Sequence, residues 1–285
     1  MIRIVEVAPR DGLQNQSRMI PVGVKVAFID ALSKAGLSEI EAGAFVSPRW
    51  IPQLADAEEV FRRIRRVSGV TYSALVPNLQ GLERAFAARV DKIAVFTAAS
   101  ETFNRKNINS SIEESIRRFA PVVEEAKKEK LLVRGYVSTA FWCPYEGKVA
   151  PGKAVEVCRR LADLGVDEIS VGDTLGKASP EEVRALLEML LPEIPANRLA
   201  MHFHDTYRHA VENVVASWKL GIELFDASAG GIGGCPYAPG AAGNVATEAV
   251  VAALREAGAE VLADLKALDG AWRVIAPALT DDSLL

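Results

Sequence analysis

The chain has 285 residues, with 33 basic against 37 acidic side chains and a formal net charge of −4. Apolar residues make up 49% and charged ones 25%, the balance of an ordinary soluble globular protein, which excludes disorder, a collagen-like repeat and a disulfide scaffold. The slight acidic excess and the lack of a basic block argue against a nucleic-acid surface. The three cysteines, Cys143, Cys158 and Cys235, are odd in number and widely spaced, so neither a disulfide framework nor a zinc pattern is implied. No apolar run reaches the roughly 18 residues of a membrane span. The opening MIRIVEV alternates like a strand and shows no signal-peptide pattern, so a cytoplasmic protein with no membrane partner is expected.

Taken in chain order, residues 2–7 predict a strand and 22–35 a helix stopped by Gly36. Strands follow near 39–42, 71–76 and 92–96, then a helix over 112–128 and a strand over 131–137. A helix over 153–164 stops at Gly165, and a strand near 168–171 leads to a helix over 181–190. The strand 199–204 precedes a helix over 208–220 stopped by Gly221, and the strand 223–227 completes eight. The stretch GGIGGCPYAPGAAGN has six glycines and two prolines in fifteen residues, which predicts a long loop. Asn244 then stands as the N-cap of a helical run over 245–254. Strand–helix alternation repeated eight times predicts a parallel sheet closed into a (β/α)8 TIM barrel. No Gly-x-Gly-x-x-Gly follows the first strand, which removes the mark of a dinucleotide-binding sheet. With no linker-like break, a single domain over 1–285 is expected, carrying a short helical tail at about 261–285.

Function in such a barrel lies at the C-terminal ends of the strands. Polar residues gather there: Arg10-Asp11 after the first strand, Glu41 on the second, Asp173 ending the sixth, and His202-Phe203-His204-Asp205 ending the seventh. All three histidines fall within 202–209. Residues two apart on a strand share a face, so His202 and His204 point the same way and offer half of a metal site. His209 belongs to the next helix and reads as a solvated or packing residue. Asp11 is the natural third ligand, because the first strand is next but one to the seventh around a closed barrel. Asn244, which the N-cap role alone explains, could at the mouth also offer an amide oxygen. Two imidazoles, a carboxylate and an amide oxygen suit Mg2+ or Mn2+ better than a structural zinc, although the set also admits Zn2+. Cys235 sits alone in the glycine-rich loop, where a thiol over a metal site could exchange a proton with substrate.

The segments APRDGLQNQ and DASAGGIGGCPYAPGAAGNVATE closely resemble those of the 3-hydroxy-3-methylglutaryl-CoA lyase family. Further matches run through EAGAFVSPRWIPQLAD, VPNLQGLERA, RKNINSSIEES, RGYVSTAFWCPYEGK, ISVGDTLG and HFHDTY. The resemblance implies a carbon–carbon lyase that cleaves its acyl-CoA substrate to acetyl-CoA and acetoacetate in a retro-Claisen step, as in leucine breakdown. It implies that Asp11, His202, His204 and Asn244 hold the cation. It further implies that Arg10 contacts the thioester, with Gln14 and Asn244 also binding substrate, and that Glu41 and Asp173 lie in the site. His202 is the favoured base, with Asp11 as the other candidate, and Cys235 is the loop thiol in proton transfer. A homodimer is expected. Two residues depart from the family pattern: Arg208 stands where glycine is usual, and Trp142 is bulkier than the small residue expected, which predicts a reshaped acyl pocket. The alternatives are a sibling lyase for another 3-hydroxy-3-alkylglutaryl thioester, a Claisen-condensing synthase, and a catalytically silent barrel.

Overall fold

In the computed structural model, which describes residues 1–234 and 243–280, eight parallel strands close into a barrel. They are β1 (Arg3–Glu6), β2 (Glu39–Ala44), β3 (Thr71–Leu75), β4 (Lys92–Ala98), β5 (Leu132–Ser138), β6 (Glu168–Asp173), β7 (Leu199–Phe203) and β8 (Leu224–Ala227). Each pairs with its sequence neighbours, and β1 closes the ring on β8 with Arg3 beside Leu224 and Glu6 beside Ala227. The (β/α)8 barrel expected from the alternation is therefore present.

Helices cover the outer face. They comprise α1 (Val22–Leu32), α2 (Ala57–Arg63), α3 (Leu79–Ala87), α4 (Glu101–Ile108), α5 (Ile112–Lys128), α6 (Pro151–Asp163), α7 (Pro180–Leu190), α8 (Ala210–Lys219) and α9 (Thr247–Glu256). Local chemistry sets several starts. Ser111 and Ser179 each open a helix with a reciprocal capping box, to Glu114 and Glu182. The outward strand residues Met201, Phe203 and Phe225 are fully buried beneath this layer, as period-two alternation requires.

The tail is a helix, α10 (Leu265–Leu279), capped by Asp264 and packed against α1. It starts a few residues later than its composition suggests, because residues 261–264 run without helical structure up to that cap. Trp272 of α10 lies so close to Gly230 that a Cβ there would sit 2.3 Å from its ring, which ties the tail to the loop following β8. Cys143 and Cys158 are both buried and free. Burial pushes the Cys158 thiol up to about 12, so it acts as a small apolar residue.

The interior of the barrel is charged at its base. Lys92, 2% exposed, donates to Glu39 at 2.8 Å and to Glu168, whose other oxygen takes Arg3 at 3.1 Å. One layer higher, Arg134 pairs with Asp226 at 2.8 Å. A small apolar plug of Val5, Val7, Ala200 and Leu224 fills the side between β1, β7 and β8.

Arg208 does not begin the eighth helix. It lies before α8 in the left-handed region at φ +64, with an exposed side chain 3.8 Å from Asp205. That conformation disfavours any residue with a Cβ, which gives a physical reason for glycine at this point. Two stability measurements follow. Lys92→Met leaves two carboxylates short of a cation in a dry interior, and urea unfolding is expected to show a loss of about 3 kcal/mol or more. Arg208→Gly relieves left-handed strain, and the same assay is expected to show a gain of about 1 kcal/mol.

Candidate active site

Directly after β1 the backbone makes a single π-helical turn, Ala8–Gly12. The Val7 carbonyl accepts from the amides of Asp11 at 2.8 Å and Gly12 at 3.1 Å. Pro9 suits the start of the turn because it has no N–H to leave unpaired. This wide turn carries Arg10 and Asp11 to the mouth of the barrel. Such turns recur at functional sites, where they aim side chains that a regular helix would point elsewhere. A Cβ at Gly12 would lie 2.7 Å from the Ile232 side chain, so the missing side chain lets the loop after β8 pack on the turn.

Asp11 meets the two strand histidines there. One ligand atom from each of Asp11, His202 and His204 lies within 4.8 Å of the others, and the two imidazole centroids are 5.3 Å apart. Burial opposes charge on Asp11, but Arg10 first and then the two imidazoles outweigh it and hold the carboxyl at about 2. Burial, and next the adjacent His202, push His204 down to about 4, so it is neutral near pH 7. Asn244 pairs with His204 in an isolated bridge, and its Nδ2 donates to Asp11 Oδ2 at 2.9 Å. It does not cap α9, whose N-cap is Ala246, so its side chain is free to face the cluster.

This set fits a divalent cation. His204 Nδ1 and Asn244 Oδ1 are buried without a hydrogen-bond partner among the described residues. Orphaned acceptors beside an ionised carboxylate and a neutral imidazole supply what a hard or borderline cation requires.

Arg10 is clamped on one side of the cluster. Its Nε donates to Glu41 Oε2 at 2.6 Å, its Nη1 donates to Asp11 Oδ1 at 2.6 Å, and its guanidinium lies 5.5 Å from the Tyr136 ring centre. Burial opposes its charge, but Glu41 and Asp11 keep it fully protonated. Burial raises the Glu41 carboxyl in turn, and Arg10 pulls it back. Glu41 thus orients Arg10 and does not reach the cluster through any hydrogen bond of its own.

Sequence reasoning missed Asp226 and its supports. Asp226 Oδ2 lies 3.2 Å from His202 Nδ1 and accepts from Ser170 Oγ at 2.7 Å, while Arg134 holds the other oxygen. Burial disfavours charge on Asp226, but Arg134 and His202 overcome it, and its pKa is lowered. An ionised Asp226 makes Nδ1 the donor and leaves Nε2 with the lone pair. The same contact raises His202 against the effect of burial. Alternation from Leu224 was the available signal, since it turns Asp226 inward.

A cavity of about 610 Å³ opens above the cluster, lined by Gln14, Phe96, Phe119, Tyr136 and Gly234 along with the cluster itself. Gln14 therefore lies at the expected substrate space, with Oε1 buried and unpartnered among the described residues. Asp173 does not. Ser170 and Gly172 line the cavity, so alternation turns Asp173 to the helix side, where Oδ2 accepts from the Ala178 amide at 2.9 Å and burial pushes the carboxyl up to about 6. It pins the loop after β6, in which Gly176 runs against the His204 carbonyl. Trp142 also lies off the cavity. It belongs to a short hairpin, its Nε1 donates to Glu182 at 3.1 Å and its ring faces Lys148 and Lys177, so it does not reshape the pocket. His209 is the half-exposed N-cap of α8 and takes no part in the cluster. Cys235 lies outside the described residues, directly after Gly234 at the cavity edge.

The HMGL-like family model matches residues 1–275. A Pseudomonas aeruginosa protein named 3-hydroxy-3-isohexenylglutaryl-CoA/hydroxy-methylglutaryl-CoA lyase is 49% identical over 276 residues, covering 96% of this chain and 92% of the relative. The solved HMG-CoA lyase of Brucella melitensis matches at a TM-score of 0.96 and 49% identity, covering 98% of this chain and 99% of the other. An HMG-CoA lyase from Acinetobacter baumannii, solved in complex with coenzyme A and 3-methylmalate, matches at 0.93 and 38% identity, over 98% and 91% of the two chains. With that model spanning the whole barrel and an Asp–His–His cluster at its mouth, the chain belongs to the HMGL-like family.

Proposed function

We propose that this protein is a divalent-metal-dependent carbon–carbon lyase that cleaves 3-hydroxy-3-methylglutaryl-CoA to acetyl-CoA and acetoacetate. The observation that carries the reading is one arginine, Arg10, held beside the Asp11–His202–His204 cluster at the floor of a substrate-sized cavity. The relatives named as HMG-CoA lyases support it.

Breaking the bond next to a tertiary alcohol means removing the hydroxyl proton while charge moves onto the thioester oxygen. Asp11, His202, His204 and Asn244 would hold Mg2+ or Mn2+, and a cation so bound would lower the pKa of the substrate hydroxyl and fix its position. His202 takes the proton, because Asp226 supports its charged form, whereas Asp11 and His204 are held as weak bases at about 2 and about 4. With His202 as the base, Asp11, His204 and Asn244 would be the residues that hold the cation. Arg10, fixed by Glu41, stabilises the developing enolate oxygen, a contribution of about 3 kcal/mol in a closed site. Gln14 and Asn244 face bound substrate. Cys235 then returns a proton to the enolate carbon, a role supported by the place of Gly234 on the cavity wall.

A second reading is a wider substrate range. Ile51, Phe96, Phe103 and Phe119 give the cavity an apolar wall able to take a longer 3-alkyl chain, and the Pseudomonas relative carries such a substrate in its name. The exposed Leu262, Leu265 and Val274 offer apolar surface for the expected homodimer. The free cysteines support a reducing, cytoplasmic setting, and among the described residues no helix is long and apolar enough to cross a membrane.

Acetyl-CoA release from 3-hydroxy-3-methylglutaryl-CoA is expected with added Mg2+, and is expected to fall at least about 1,000-fold with EDTA or in Asp11→Ala. Turnover that survives both treatments overturns the metal-dependent mechanism. Asp226→Asn replaces one carboxylate oxygen with an NH2 donor and removes the negative charge that fixes the His202 tautomer, and is expected to lower kcat by about 10- to 100-fold with little change in KM. An unchanged kcat removes Asp226 from the mechanism.

A further inference from the structure

Glu6 is a fully buried carboxylate that the mechanism does not use. Glu6, the last residue of β1, is 0% exposed and lies on the helix side of the strand, away from the cavity. Its outward neighbours Ile4 and Ala8 are apolar and buried, so an acid here is costly. Burial pushes its carboxyl up to about 7, against the pull of Thr247, Ala229 and Ala8, and the nearby Glu248 carboxylate adds to the rise.

Three donors from three segments converge on it. Oε1 accepts from the Ala8 amide at 3.0 Å and from the Ala229 amide at 2.9 Å, and Oε2 accepts from Thr247 Oγ1 at 2.7 Å. Ala8 begins the π-turn that carries Asp11. Ala229 begins the glycine-rich loop, and the next amide, Gly230, donates to Glu248 under the Trp272 ring. Thr247 opens α9, directly after the segment that carries Asn244. Those segments also meet each other: Ser228 and Val245 share a backbone bond of 3.1 Å, and Asn244 Nδ2 donates to the Ile232 carbonyl at 3.1 Å. Glu6 is a single side chain that touches all three.

We propose that Glu6 is a positioning residue whose carboxylate holds the Asp11 turn, the root of the glycine-rich loop and the Asn244 segment in one register, so that metal donors from opposite ends of the chain meet. The inference rests on the reading of Asp11, His202, His204 and Asn244 as a cation site. A proton on Glu6 does not undo the register, since Oε1 still accepts two amides and Oε2 exchanges roles with the Thr247 hydroxyl. Glutamine preserves this pattern and alanine erases it.

The test is Mn2+ titration of the purified protein without substrate, followed by the electron paramagnetic resonance signal of the free ion. Wild type is expected to bind Mn2+ and Asp11→Ala to lose it. Absence of binding by wild type overturns the cation site, and the inference with it. Given binding by wild type, Glu6→Ala is expected to bind about 10- to 100-fold more weakly. Glu6→Gln is expected to stay within about threefold of wild type, and Thr247→Val to fall between the two. Leu190→Ala, a buried truncation at the far end of α7, is expected to lower Tm while leaving Mn2+ affinity unchanged. Wild-type affinity in Glu6→Ala overturns the proposal, as does equal loss in Glu6→Gln and Glu6→Ala. If circular dichroism shows Glu6→Ala unfolded, Thr247→Val decides: weakened binding with native circular dichroism supports the register, and unchanged binding overturns it.

Discussion

A closed barrel of eight strands has little room for water, so a charge inside it must find its partner inside it. This constraint organises the molecule from base to mouth. Lys92 binds Glu39 and Glu168 at the bottom, Arg134 binds Asp226 above them, and Arg10 binds Glu41 and Asp11 at the top. Each pair relieves a burial penalty, but the upper two also aim a functional group. Asp226, held by Arg134, has an oxygen left to orient His202. Glu41, by accepting from the Nε of Arg10, leaves the remaining nitrogens of the guanidinium for the cluster.

The same arrangement separates two imidazoles that look alike in sequence. His202 and His204 sit two residues apart on one face of one strand, yet Asp226 raises the first, while burial and its neighbour lower the second. The two rings thus differ in proton affinity, and His204 is neutral near pH 7. Environments that push paired groups apart in this way are how a site divides proton transfer from binding.

Much of this was legible in the chain. Strand–helix alternation sufficed for the barrel, and period-two alternation placed His202 and His204 together. The errors have physical causes. Asp173 ends a strand as an acid, but its parity is opposite to that of Ser170 and Gly172 and turns it to the helices. Asn244 precedes a helical run and so passes for an N-cap, while the helix starts three residues later and leaves its amide to the cluster. Arg208 has good helix propensity but stands where the backbone needs a positive φ, a demand set by the chain around it. Trp142 has the bulk of a pocket-lining residue, whereas a hairpin swings it onto Glu182. Asp226 and Glu6 escaped because most of their partners lie far off in sequence, on strands and loops that only the closed ring brings near.

Ring closure also orders events in time. Asn244 meets Asp11 across 233 positions, and β1 has no partner on one side until β8 exists. On the ribosome, the first strand therefore emerges with one edge bare and waits for most of the polypeptide to be made. An open edge is a template for wrong pairing, so this is the interval in which the nascent chain is most in need of shielding. Asp11, His202, His204 and Asn244 come together only once the last strand is seated. Their meeting at the mouth is thus a built-in report that the ring has shut.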